Sequence, residues 1–157
     1  MRQPEEAMGG LSGEVRSLSV GDFMSRDLVT VNASDDLALA EQMLRLGGIR
    51  HLPVVEHGKL VGLLTHRDLL SSAMTRPAAT TQARDAMTAA PVTVRPTTSL
   101  VHAARIMLAH KFGCLPVCEE DGALVGIITE ADFVRFAADM VQDLDLVAEA
   151  VGAHHRA

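Results

Sequence analysis

Aromatic residues are scarce in this sequence: none of its 157 residues is tryptophan or tyrosine, and four are phenylalanine. Proteins that bind single strands of nucleic acid stack the bases on aromatic side chains, so this class is disfavoured. An excess of positive charge is also missing, because 14 lysines and arginines stand against 20 aspartates and glutamates and leave a net charge of -6. Binding to a duplex requires a basic face that neutralises many phosphates. We therefore expect no nucleic-acid partner.

Cysteines and long apolar runs are equally few. Cys114 and Cys118 are the two cysteines, and they share one apolar stretch, where buried free thiols in a reducing compartment are the ordinary state. No apolar run reaches the roughly 20 residues of a membrane helix. Residues 1–13 are small and polar, unlike a signal peptide. We expect a cytoplasmic protein without membrane contact.

The patterns typical of catalysis and of metal binding are absent as well. No nucleophile lies at a recognised spacing from a base, and neither a glycine-rich phosphate loop nor a metalloprotease motif is present. The seven histidines are scattered along the chain rather than set at the spacing of metal ligands. We expect a protein that is not an enzyme, holds no metal ion and requires no cofactor.

What the chain does contain is an internal repeat. Residues 20–70 recur as residues 83–134, at an offset of 63 in the first part of each copy and of 64 after one inserted residue. A duplicated unit predicts a two-fold arrangement with two equivalent clefts along the seam between the copies. The recurring pairs include Asp22 and Asp85, Met24 and Met87, Leu37 and Leu100, Leu52 and Leu115, Gly62 and Gly126, Thr65 and Thr129, and Asp68 and Asp132.

Each copy predicts the order strand, helix, strand, strand, helix, which places the protein in the α/β (α+β) class. A short β-rich piece comes first, and apolar residues at helical spacing follow it. A turn, which is Asp121-Gly122 in the second copy, then joins two apolar runs into a hairpin. Pro53 and Pro116 inside the hairpins predict that their strands lie at a sheet edge or are interrupted there.

The chain divides accordingly into a partly disordered leader (1–17), a first repeat (18–76), a linker (77–82), a second repeat (83–135) and a C-terminal helix and tail (136–157). An apolar stripe at helical spacing begins at the end of the second repeat and continues along the tail. It either packs on the chain's own domain or contacts a second copy. Its members are Phe133, Ala137, Met140, Leu144, Val147 and Val151.

The repeated motifs resemble the CBS domain, the module named after cystathionine beta-synthase, present here as a tandem pair or Bateman module. Leu-Pro-Val begins at Leu52 and Leu115, and Gly-x-x-Thr-x-x-Asp begins at Gly62 and Gly126. The resemblance covers about residues 20–135 and is specific, because both motifs occur twice in the same order. It implies two repeats related by a pseudo-two-fold axis, small sheets packed together with helices outside, and pairing of two modules into a homodimer.

In that family, adenosine-containing ligands such as AMP, ADP, ATP or S-adenosylmethionine bind in the clefts between repeats. The resemblance implies that the threonine and aspartate of each motif hold ribose and phosphate, with other matching positions around the adenine. The chemistry is sound, because a carboxylate accepts hydrogen bonds from two ribose hydroxyls and a helix start offers free N–H groups. The candidate ligand-binding residues are Thr30, Val31, Arg50, His51, Leu52, Pro53, Thr65, Arg67, Asp68, Thr93, Val94, Cys114, Leu115, Pro116, Thr129 and Asp132.

Two interpretations of the motif stay open, because Thr-x-x-Asp also has the form of a capping box that needs no ligand. In the first, the chain is a regulatory module that binds an adenosine ligand, changes conformation and acts on an unidentified protein target. In the second, it is a ligand-free structural or protein-interaction module, such as a dimeric adaptor. Neither interpretation requires an attached catalytic or transport domain.

The two copies differ in charge beside the motif. The first has Arg50 and Arg67 where the second has Gly113 and Ala131, and Glu130 of the second copy would oppose a phosphate. The cleft formed by the first motif is therefore predicted to be the better nucleotide site.

Substituting Asp68 by alanine should weaken adenine nucleotide binding much more than the same change at Asp132, because the cationic residues lie beside the first motif. Titration calorimetry of the two variants with AMP measures the difference. Equal losses in both variants would contradict this ranking of the clefts.

Overall fold

The computed structural model describes residues 18–154, with side chains up to residue 146. The predicted leader, residues 1–17, lies outside the described residues. Helices and small sheets alternate along the chain, so the predicted mixed α/β class is confirmed. Within residues 18–154, no helix combines the length and the apolar character needed to cross a membrane.

The two copies build similar series of elements, each opening with a short helix. The first copy contains α1 (Val20–Phe23), β1 (Val31–Asn32), α2 (Leu37–Gly47), β2 (His51–Glu56), β3 (Lys59–Thr65) and α3 (His66–Ala73). A short 3-10 turn (Ala78–Thr80) leads to the second copy, which contains α4 (Ala83–Ala86), β4 (Thr88–Ala89), α5 (Leu100–His110), β5 (Cys114–Cys118), β6 (Leu124–Thr129) and α6 (Glu130–His154). A single parallel bridge between Val94 and Val117 takes the place of β1 in the second copy.

Four strands form one sheet in the order β1-β2-β3-β4, and β5 and β6 form a separate hairpin. Pro53 lies in β2, an inner strand, so the prediction of a sheet edge was wrong there. Because β1 pairs with β2 only at Val54 and Val55, it has no partner opposite the proline, which lacks an N–H to donate. The predicted interruption is present, since the pairing of β2 with β3 shifts register between Val54 and Val55.

The opening segment of each copy packs against the other copy. Strand β4, at the start of the second copy, pairs with β3 of the first copy, with Ala89 opposite Gly62. Ser25, from the start of the first copy, exchanges two backbone hydrogen bonds of 2.9 and 3.0 Å with Ile127 on β6 of the second. The two copies are therefore interlocked, and each one completes the other's sheet.

Methionines anchor both exchanged segments. Met87 covers Gly62 so closely that a Cβ on this glycine would overlap the methionine sulfur and lie 2.7 Å from its Cγ. Met24 covers Gly126 in the same way. Met24 belongs to the hydrophobic core of the second copy, and Met87 packs against the core of the first. The contacts of Met87 with Gly62 and of Met24 with Gly126 thus hold the two copies together.

The long last helix, α6, starts on the second core. Phe133 and Phe136 pack against this core, and Phe136 meets Phe23 edge-on with ring centroids 4.9 Å apart. The first part of the predicted stripe therefore packs on the chain's own domain. Leu144 is 51% exposed, and the side chains of Val147 and Val151 lie outside the described part.

Replacing Gly62 by alanine should destabilise the protein by about 1–3 kcal/mol, because the new methyl group displaces Met87 from its place on β3. Gly47→Ala is a matched control: a Cβ there meets its nearest atom at 3.5 Å, an ordinary contact, within a helix that favours alanine. Urea unfolding of both variants measures the difference. An unchanged midpoint for Gly62→Ala would contradict the proposed close packing.

Candidate functional site

Both Thr-x-x-Asp motifs lie at the starts of helices, and Thr65 with Asp68 forms a complete capping box. The backbone N–H and the hydroxyl of Thr65 each donate to Asp68 Oδ2 at 2.7 Å, while the corresponding bonds from Thr129 to Asp132 Oδ2 are 2.8 and 2.9 Å. Asp132 Oδ1 also accepts from the Arg135 guanidinium at 3.2 Å. The capping role predicted for the motif is confirmed in the first copy, and Asp132 makes the same two contacts with Thr129 in the second.

A cavity of about 740 Å³ lies between the two copies. The first copy lines it with the start of β2, the end of β3 and the first turn of α3. The second copy lines it with the segment after α4, the loop after α5, strand β5 and the start of α6. The lining residues are Arg50, His51, Leu63, Thr65, His66, Arg67, Thr88, Ala90, Pro91, Val92, Lys111, Phe112, Gly113, Cys114, Pro116 and Glu130.

Six of the sixteen candidate residues line this cavity, namely Arg50, His51, Thr65, Arg67, Cys114 and Pro116. The others do not line it: Thr30, Val31, Leu52, Pro53, Asp68, Thr93, Val94, Leu115, Thr129 and Asp132. Several of these are fully buried in the two cores, because alternate residues of a strand point to opposite faces. Asp68 lines a separate, smaller cleft of about 320 Å³ beside α3 and α4.

Sequence reasoning missed the part of the wall that the second copy contributes around Ala90–Val92 and at Lys111 and Phe112. Ala90–Val92 belong to the opening of the second copy in the sequence. In the structure they directly follow β4, which pairs with β3 of the first copy. The alignment of the two copies could have identified Lys111 as a candidate, because it aligns with Gly48 after the equivalent helix of the first copy. A lysine where the other copy has a helix-ending glycine marks a difference between the copies.

At the seam of the cavity, the imidazole of His51 lies against the backbone of Gly113. A Cβ on Gly113 would lie 3.0 Å from both Cε1 and Nε2 of His51 and 3.8 Å from Glu130 Oε2. Burial lowers the pKa of His51, with Arg50 adding to this effect and Glu130 opposing it. Neutral His51 is therefore favoured at physiological pH.

Cys114 lines the same part of the cavity as a free thiol. Burial, with a further contribution from the nearby carboxylate of Glu130, raises the pKa of Cys114 to about 12. Burial also raises the pKa of Cys118. Both are buried and free in the structure, as the sequence predicted, and both stay protonated at neutral pH.

The charge of the cavity wall is positive. Arg50, Arg67 and Lys111 contribute three basic side chains, against the single carboxylate of Glu130. An apolar wall that includes Leu63 lies beside these charged groups. The arrangement suits a small molecule that combines an apolar ring with an anionic group.

The family pattern described as CBS domain matches residues 20–75 and 83–139. The chain therefore belongs to the CBS-domain family, with two CBS domains in tandem. This finding confirms the resemblance carried by the repeated Leu-Pro-Val and Gly-x-x-Thr-x-x-Asp motifs.

Solved structures of other CBS-domain pairs have the same fold. CBSX2 in complex with AMP is 34% identical, with a TM-score of 0.71 over 78% of this chain and 98% of that one. The CBS domain pair of protein MJ0100, in complex with 5′-methylthioadenosine and S-adenosyl-L-methionine, is 27% identical, with a TM-score of 0.71 over 78% and 97% of the two chains.

Several curated relatives are longer proteins, of which the chain spans 22% to 47%. One is inosine-5′-monophosphate dehydrogenase from Korarchaeum cryptofilum, 36% identical over 110 residues that make up 70% of this chain and 22% of that protein. The similarity is confined to a small part of the dehydrogenase, so it does not indicate dehydrogenase activity in this chain.

The thiol of Cys114 should react slowly with maleimide in the folded protein, because a pKa of about 12 leaves a thiolate fraction about a thousandfold below that of an ordinary cysteine. Tandem mass spectrometry of the peptide that contains both cysteines resolves the label at each sulfur. The same protein in guanidinium chloride is the control. Equal labelling rates in the folded and unfolded states would contradict the buried position.

Proposed function

We propose that this protein is a non-enzymatic regulatory module that binds an adenosine-containing ligand between its two CBS domains. The observation that carries the proposal is the 740 Å³ cavity, whose wall comes from both copies and includes three cations. Small-molecule sites commonly have volumes of roughly 300–1,000 Å³ and combine an apolar wall with a few polar groups. The size and the chemistry of the cavity both fit this description.

The ligands of the two related CBS pairs support the choice of an adenosine compound. CBSX2 binds AMP, and the MJ0100 pair binds 5′-methylthioadenosine and S-adenosyl-L-methionine. These ligands share the adenosine group and differ in what is attached to it. The shared group is what we carry over to this chain.

The wall of the cavity offers a place for each part of such a ligand. Pro91, Val92 and Phe112 form an apolar surface against which a purine ring can pack. Arg50 and Arg67 bring guanidinium groups, which bind phosphate with paired hydrogen bonds. Neither surface requires a conformational change to form.

Signalling follows in this proposal from the shared wall. A ligand that touches both copies binds more tightly to one relative arrangement of the copies than to another, and it shifts their equilibrium by that difference in affinity. The exchanged segments transmit the shift, because β4 joins the wall of the cavity to the sheet of the first copy. A partner protein, or a second copy of this chain in a homodimer, would respond to the new arrangement.

A second candidate function is that of an adaptor that binds other proteins without a ligand. Leu70 on α3 and Val134 on α6 occupy equivalent positions of the two copies and are 71% and 68% exposed. Exposed apolar residues related by two-fold symmetry fit a symmetric contact with another chain. This surface also suits the proposed homodimer, so the two functions differ in whether the cavity is used.

Substituting Arg67 by alanine should weaken AMP binding about tenfold or more, because a charge-assisted hydrogen bond to phosphate contributes about 1.5–3 kcal/mol. Arg105→Ala is the matched control, since Arg105 is exposed on α5 outside the cavity wall. Titration calorimetry with AMP measures both affinities. AMP present at a hundred times its dissociation constant should also stabilise the parent protein by about 2.7 kcal/mol.

If the protein is an adaptor that binds no ligand, the expected results are the opposite. A panel of AMP, ATP, S-adenosylmethionine and 5′-methylthioadenosine would then leave the melting temperature unchanged. Equal affinities of the Arg67→Ala and Arg105→Ala variants for AMP would place the ligand outside this cavity.

A further inference from the structure

We infer that the cavity selects adenine nucleotides that carry phosphate, and that Lys111 is a binding residue responsible for this selection. The inference rests on the proposed function and narrows it. It favours AMP, ADP and ATP over S-adenosylmethionine, which carries a sulfonium cation, and over uncharged 5′-methylthioadenosine.

The first observation is the strained backbone of Lys111. Lys111 directly follows α5 and has φ 56° and ψ 40°, in the left-handed region. Gly48 follows α2 at the equivalent position of the first copy, with φ 59° and ψ 23°. The next residue closes both helices with the same bond: Ile49 N–H donates to Leu44 O at 3.2 Å, and Phe112 N–H donates to Met107 O at 3.0 Å.

The turn itself does not require a lysine. Glycine adopts the left-handed region without the steric penalty that a Cβ introduces, which is why it is the usual residue at a helix end of this kind. The first copy achieves the same turn with glycine, so Lys111 carries a conformational penalty that the fold does not demand. Residues held in sparsely populated conformations cluster at binding sites, where the side chain has a use.

The second observation is where Lys111 lies and which charges accompany it. It lines the cavity together with Arg50 and Arg67. All three cations stand where the other copy has a glycine or an alanine: Arg50 aligns with Gly113, Arg67 with Ala131 and Lys111 with Gly48. The repeat provides two equivalent places along the seam, and the three basic residues all lie at one of them, the cavity.

The charge balance decides the class of ligand. The two arginines, the lysine and the one carboxylate together leave an excess of two positive charges in the wall. A phosphate monoester carries up to two negative charges and accepts several charge-assisted hydrogen bonds. A sulfonium group is repelled by the same wall, and an uncharged thioether gains nothing from the cations.

Lys111→Gly separates the two roles of the residue. The variant should melt about 2 °C higher than the parent, because glycine relieves the left-handed strain. It should bind AMP about tenfold to a hundredfold more weakly, while its affinity for 5′-methylthioadenosine stays within twofold of the parent's. Lys111→Arg, which keeps the charge, should retain most of the AMP affinity.

His57→Gly is the matched control. His57 lies in the β2–β3 turn with φ 51°, is exposed and does not line the cavity. This variant should gain thermal stability in the same way and bind AMP like the parent. Melting curves and titration calorimetry with AMP, S-adenosylmethionine and 5′-methylthioadenosine cover all three variants and the parent.

The outcomes distinguish the inference from the proposed function. Unchanged AMP affinity in Lys111→Gly overturns the role of Lys111. Tighter binding of S-adenosylmethionine or 5′-methylthioadenosine than of AMP by the parent overturns the selection and leaves the adenosine site in place. Failure of the parent to bind any of the three overturns both.

Discussion

The packing of Met87 on Gly62, and of Met24 on Gly126, is the contact on which the rest of this structure depends. It fixes the opening segment of each CBS domain to the sheet of the other domain. Through Met87 and β4, residues 88–90 of the second copy come to lie beside β3 of the first. The wall of the cavity is therefore a consequence of interlocking, and two separately folded copies would not form it.

The architecture is two-fold, but the chemistry at the seam is not. Both copies keep the glycine under the methionine and the hydrogen bonds between the threonine and the aspartate of the motif, which serve the fold. At each aligned position that gives the cavity a basic group, one copy has an arginine or a lysine and the other has a glycine or an alanine. Symmetry supplies a cleft at the seam, and departures from symmetry determine which molecule it suits.

Local patterns predicted much of the fold because their causes are local. Thr65 and Asp68 form a capping box through contacts three residues apart, and the Asp-Gly turn forms where it stands in the sequence. The exchange of segments could not be read in this way, since identical repeats have the same pattern whether or not they interlock. Asp68 and Lys111 illustrate this limit. The sequence motif correctly predicted that Asp68 caps a helix, but Asp68 lines the neighbouring cleft instead of the cavity. Lys111 lines the cavity and was not among the predicted residues.

A crystal structure of the protein grown with AMP would show directly whether the cavity between the copies binds the nucleotide and which side chains hold its phosphate. We expect one nucleotide in the cavity between the copies, with its phosphate within hydrogen-bond distance of Arg67 or Lys111 and its purine against the apolar wall near Phe112. A nucleotide bound at the two-fold related side of the seam, beside Gly48 and Ala131, would contradict it. So would a nucleotide in the cavity with its phosphate turned away from these cations.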